Sequence, residues 1–103
     1  MRKEKDGTYV VNTTTLGADV KGYRGAVPTE VYIKKNKVVK VVLLKNSEGP
    51  KYLQMVTAGM LTNFEGKKID EAVKVDGVTG ATYTSEAVKE NVRLALDYYK
   101  KNK

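Results

Sequence analysis

The chain contains no cysteine and no histidine. The first absence excludes disulfides, thiolate nucleophiles, cysteine-ligated iron–sulfur clusters and cysteine-type zinc sites. The second excludes a Ser-His-Asp triad, imidazole acid–base catalysis and histidine metal sites. No apolar run approaches the roughly 20 residues that span a bilayer. Residues 2–6 are all charged and have no apolar stretch behind them, so no signal peptide is visible. Arginine is scarce, although it is the usual residue for bidentate base readout. With no recognition helix, zinc finger or RNA-binding signature either, nucleic acid is not an expected partner.

The 103 residues suit one domain spanning the whole chain, and the 41% hydrophobic content suits one modest core. Nineteen basic residues against twelve acidic ones give a formal charge of +7. Most of the excess is lysine scattered along the chain, as on a solvated surface, although it also suits an anionic cofactor or membrane surface.

Residues 8–15 (TYVVNTTT) are rich in β-branched side chains and predict a strand. Gly22-Tyr23-Arg24-Gly25 predicts a turn or a close backbone approach. Residues 29–34 alternate, with Val31 and Ile33 on one face and Tyr32 on the other. Residues 38–44 (VVKVVLL) form a second strong strand pattern. Lys35-Asn36-Lys37 lies between them, and asparagine tolerates positive φ, so the pair predicts a hairpin. Asn46-Ser47-Glu48-Gly49-Pro50 is turn-forming. A helix is expected over residues 51–61, with Leu53, Val56, Met60 and Leu61 at helical spacing. Residues 63–67 predict a loop. Residues 69–75 predict a short helix around Asp70 to Ala72 that leads into a strand near Val73 to Val75.

From residue 85 to 101, Val88, Val92, Ala95, Leu96 and Tyr99 recur at helical spacing. Thr84 or Ser85 can cap this helix, Glu86 falls in its expected first turn, and Lys100, Lys101 and Lys103 suit the negative end of its dipole. The expected class is α+β, a small antiparallel sheet built on a central hairpin, with a C-terminal amphipathic helix and one or two shorter helices.

The chemistry concentrates in residues 76–85 (DGVTGATYTS). Two glycines permit tight backbone turns and close approach of a ligand. Thr79, Thr82, Thr84 and Ser85 cluster their hydroxyls just where a helix with free N–H groups begins. Such a segment is either an anion site, most commonly for phosphate, or simply a capped loop.

Asp76, Thr79, Gly80, Ala81 and Thr82 resemble the flavinylation motif of the FMN-binding domain family: Asp, two variable residues, Ser or Thr, Gly, Ala, Thr. This family includes flavin-bearing subunits of the Na+-translocating NADH:quinone reductase and of the Rnf complex. Gly22-Tyr23-Arg24-Gly25 resembles the family's opening Gly-Tyr-x-Gly segment, and residues 29–34 and 38–44 resemble its central hairpin. Residues 46–51 resemble its Glu-Thr-Pro-Gly loop near the flavin: Glu48 and Pro50 fit, Gly49 replaces Thr and Lys51 replaces Gly. The likeness runs from residue 9 to 99.

The resemblance implies FMN as cofactor, attached by a phosphoester to Thr82 by a separate flavin transferase that uses FAD and magnesium. Thr82 is then an acceptor and not a catalytic residue. Asp76, Thr79, Gly80, Ala81, Tyr83, Thr84, Glu48 and Gly49 become cofactor-binding candidates, and no metal ligands are implied. Asp76 either serves recognition or shapes the loop as an Asx turn. Tyr83, Tyr52, Tyr23 and Met55 are candidate neighbours of the flavin ring. The implied role is an electron-transfer domain outside the cytoplasm, possessing redox partner proteins and anchored to a bacterial membrane by a segment beyond this chain. The other readings are non-covalent binding of FMN or another phosphorylated ligand, and an interaction module without a cofactor. A stand-alone enzyme fits least, because no constellation of acid, base and nucleophile is recognisable.

Overall fold

The computed structural model describes residues 1–22, 25–75 and 82–102, without the side chains of Tyr52 and Thr82. Four strands, β1 (Arg2–Lys3), β2 (Tyr9–Asn12), β3 (Thr29–Lys34) and β4 (Lys37–Leu43), form one antiparallel sheet in the order β1-β2-β3-β4. The helical elements are α1 (Pro50–Val56), a π turn (Thr57–Leu61), α2 (Thr62–Phe64), α3 (Ile69–Ala72) and α4 (Thr82–Asn102). This is the α+β class expected. Among the described residues no helix is long and apolar enough to cross a membrane.

The hairpin forms as its pattern predicts. Thr29, Val31 and Ile33 are buried, while Glu30, Tyr32 and Lys34 lie on the half-buried outer face. Its loop is shorter than expected, because Lys37 already pairs with Lys34. The remaining two residues, Lys35 (φ 53°) and Asn36 (φ 62°), both adopt the left-handed conformation of a type I′ turn, whose twist matches that of the strands. A bulge at Val39 shifts the register, since Ile33 pairs with Val38 and Tyr32 with Lys40. The extra residue lets Val38 and Val41, three apart, both face the core, and leaves Val39 exposed.

β2 stops at Asn12, short of the predicted end. The Asn12 Oδ1 accepts from Thr14 N at 2.8 Å and starts a turn, closed by Gly17 N donating to Thr13 O at 2.7 Å. β1 has no signal in the sequence pattern and exists through its pairing with β2.

The helix expected over residues 51–61 continues to Phe64 through the wider i→i+5 turn at Thr57–Leu61. That turn brings Met60, Leu61 and Phe64 onto the buried side with Val56. The segment 63–67 is therefore a loop only from Glu65 onward. α3 occupies the predicted short helix, but no strand follows among the described residues. Lys74 N donates to Glu71 O and Val75 N to Ala72 O, so the backbone groups are satisfied in local turns. Val75 still buries its side chain.

α4 packs on β2 and β3 through Val88, Val92, Ala95, Leu96 and Tyr99, all at most 3% exposed. Burying each of the larger aliphatic side chains contributes roughly 1.5–3 kcal/mol. The Tyr99 ring meets Tyr9 edge-on at 5.4 Å, and its hydroxyl donates to Asn36 Oδ1 at 2.9 Å. The helix starts at Thr82, so Thr84 and Ser85 lie buried inside its first turns instead of capping it, and Glu86 falls beyond its first turn. Beside β4, Gly66 N donates to Val38 O, Val38 N to Lys67 O and Ile69 N to Asn36 O, which lays residues 66–69 along the outer edge of that strand.

Candidate functional site

Three segments converge at the start of α4. The first is the turn of residues 21–26, held by the Lys21–Ala26 bridge and by Gly22 N donating to Gly25 O at 2.8 Å. Gly25 has φ 141°, a conformation that favours glycine. Tyr23 and Arg24 lie outside the described residues.

The second segment is the loop before α1. Leu44 N donates to Pro28 O, anchoring the loop to the strand that enters the sheet. Asn46 then folds the chain back: its Nδ2 donates to Leu44 O at 2.8 Å and its Oδ1 accepts from Glu48 N at 2.9 Å. Gly49 follows in extended geometry as the N-cap of α1, and Pro50 takes the first helical position, where its missing N–H costs nothing. This chemistry turns the Glu48 side chain inward, to 5% exposure.

The third segment is α4 itself. Thr84 Oγ1 donates to Glu48 Oε1 at 2.8 Å, across 36 residues of chain. Thr84 and Ser85 are each 1% exposed. Gly22 approaches the same carboxylate oxygen. A Cβ there would fall 2.0 Å from Glu48 Oε1 and 3.1 Å from Val27 Cγ2, so any larger residue would force the buried carboxylate to shift. α4 has no acidic residue of its own in the first turn, and Glu48 brings a negative charge to that positive end of the helix dipole from across the fold.

Of the residues singled out by the sequence, Glu48, Gly49, Thr84 and Tyr83 are brought together here. Thr82 opens α4, with its side chain outside the described residues. Tyr83, beside it, is 67% exposed. Met55 is half-buried against the core, so packing claims part of its surface. Asp76, Thr79, Gly80 and Ala81 lie outside the described residues, as does the Tyr52 side chain.

Sequence reasoning placed Glu48 in a loop near a ligand and did not foresee its burial. Nor did it couple Gly22 to Glu48, since the only signal was a glycine in a turn pattern. The arrangement clamps the start of α4 onto the loop and leaves the residue before the clamp, Tyr83, on the surface. Chemically, it is an anion-friendly helix start. The hydroxyl that meets a carboxylate there, that of Thr84, is buried together with Glu48.

Residues 22–97 match the family model described as FMN-binding domain. No curated protein matches the chain.

Proposed function

The chain belongs to the FMN-binding domain family, and on that premise we propose that it is an extracytoplasmic electron-carrying domain whose FMN is joined by a phosphoester to Thr82. FMN is the cofactor of the family. When bound, it supplies the redox chemistry, while the protein supplies position, electrostatics and solvent access.

The observation that carries the reading is the position of Thr82 as the first residue of a 21-residue helix. The first N–H groups of a helix lack intrahelical partners and favour a negative charge. α4 has no acidic side chain of its own in that first turn, and the Glu48 carboxylate that also lies there is buried and engaged by Thr84. The neighbouring Tyr83 offers an exposed aromatic face for the ring. Thr84, buried and tied to Glu48, fixes the helix start so that the attachment point is presented from a rigid element.

With no histidine in the chain, threonine activation falls to a separate flavin transferase that uses FAD and magnesium. In that reaction a bond forms between Thr82 Oγ1 and the FMN phosphorus of FAD. The pyrophosphate bond breaks, AMP departs, and the hydroxyl proton is released. Asp76, Thr79, Gly80 and Ala81 would shape the approach of the transferase and the phosphate. Redox partner proteins would meet the flavin on the Tyr83 side, and an anchoring segment beyond this chain would hold the domain to the bacterial membrane.

Co-expression with a flavin transferase tests the reading by intact mass. The expected product is heavier by one FMN less one water and is absent in Thr82→Ala. An adduct that persists in Thr82→Ala removes Thr82 as the acceptor. Yellow colour that is lost on denaturing precipitation supports non-covalent binding instead.

A further inference from the structure

At the far end of α4, a cleft of about 450 Å³ opens between the β3–β4 turn, the start of α3 and the last turn of α4. Lys100 stands eighteen residues beyond Thr82, about 27 Å away at 1.5 Å per residue. Four lysines line the cleft (Lys35, Lys37, Lys68 and Lys100) against one acid, Asp70, a net charge of +3.

These cations are placed by the backbone and not by chance exposure. Lys37 is paired directly with Lys68 on one side and with Lys34 on the other, a row of three like charges across neighbouring extended segments. Such pairs destabilise a sheet. The backbone bonds from Val38 N to Lys67 O (2.8 Å) and from Ile69 N to Asn36 O (3.0 Å) hold the row in register. Lys34 is offset by Asp6 at 3.7 Å and Lys100 by Asp70 at 2.9 Å. Among the described residues, Lys35, Lys37 and Lys68 form no ion pair. Lys35 also sits at φ 53°, in the turn position that favours Gly, Asn or Asp. Two local rules are thus broken at one cleft, a pattern that marks functional places in a fold.

We propose that this cleft is a second anion site, separate from the Thr82 region, that takes a phosphate-bearing group. Lysine ammonium groups are compact point charges suited to phosphate. A phosphate between Lys35, Lys37 and Lys68 offsets the repulsion built into the row. The apolar residue of the cleft, Ile69, is 7% exposed, so the buried anchor that a protein partner needs is missing there. The same chemistry is offered by a soluble phosphorylated molecule and by a phospholipid headgroup.

The test titrates the full chain at low ionic strength with inorganic pyrophosphate, followed by calorimetry and amide NMR. A second arm measures co-sedimentation with phosphatidylcholine vesicles with and without phosphatidylglycerol. Lys37→Gln/Lys68→Gln is compared with Lys40→Gln/Lys89→Gln, which removes the same charge outside the cleft. The expected result is amide shifts centred on Asn36, Lys37 and Ile69 and affinity lowered on the order of tenfold only in the first variant. Pyrophosphate binding identifies a soluble ligand, and binding confined to anionic vesicles identifies a headgroup. Equal loss in both variants, shifts centred on the start of α4, or binding in neither arm overturns the proposal.

Discussion

Replacing Thr84 by valine keeps the β-branched shape and comparable helix propensity while deleting the hydroxyl that donates to Glu48. Both partners are buried, at 1% and 5% exposure, so water does not readily take over the lost bond. A hydrogen bond to a charged group contributes about 1.5–3 kcal/mol. We therefore expect Thr84→Val to lose about 2 kcal/mol, equivalent to roughly 8–16 °C in Tm for a domain of this size. Urea unfolding measures this as a lower midpoint at unchanged m. Glu48→Gln keeps an acceptor and removes the charge, so its loss is expected to be smaller, about 1 kcal/mol. The double variant then recovers a coupling energy on the order of 1 kcal/mol. A Thr84→Val protein within about 0.5 kcal/mol of the parent, the range of an ordinary surface substitution, refutes the clamp.

Gly22→Ala places a Cβ 2.0 Å from Glu48 Oε1 beside the fully buried Val27, and an overpacking loss of about 1–3 kcal/mol is expected. If the clash is with Glu48, adding Glu48→Ala makes the alanine at residue 22 nearly neutral, which thermal unfolding of the two pairs reads directly. Asp70 is held below its ordinary carboxyl value of 3.8, first by the hydrogen bond from Lys100 and then by that residue's charge. A folded pKa below the unfolded one stabilises above the unfolded value and is lost as pH falls through the folded value. The Tm difference between the parent and Asp70→Asn is therefore expected to hold from neutral pH down to about 4 and to shrink below it. A difference that grows on acidification contradicts that sign.

The features legible in the sequence are those whose signal is local. Val31 and Ile33 alternate with Tyr32 and announce β3. Val88, Val92, Ala95, Leu96 and Tyr99 announce α4 by their spacing. Asn36 marks the turn because it tolerates positive φ. The features that escaped depend on residues distant in the chain. Arg2 and Lys3 are a strand only because Val10 and Tyr9 pair with them. Val73 and Val75 look like strand residues, but among the described residues they have no ladder partner, and packing against the core and local turns accommodate them. The bulge at Val39 is invisible until the pairing with Tyr32 and Ile33 is fixed. At the candidate site, the motif residues could be named from the pattern. The inward turn of Glu48 could not, because it requires Asn46, Gly22 and Thr84 to meet from three segments.

The segment of residues 66–69 alongside β4 bears on how the molecule behaves in company. An open strand edge is a template on which a second copy can continue the ladder. Here the backbone of Val38 is already claimed by Gly66 and Lys67, and Val39 bulges out of line. The opposite edge is β1, two residues long, with cationic Arg2 and Lys3 as its side chains. Among the described residues, both borders are therefore interrupted where a second copy would begin to pair: one by the backbone of residues 66–69 and the bulge, the other by a short cationic strand.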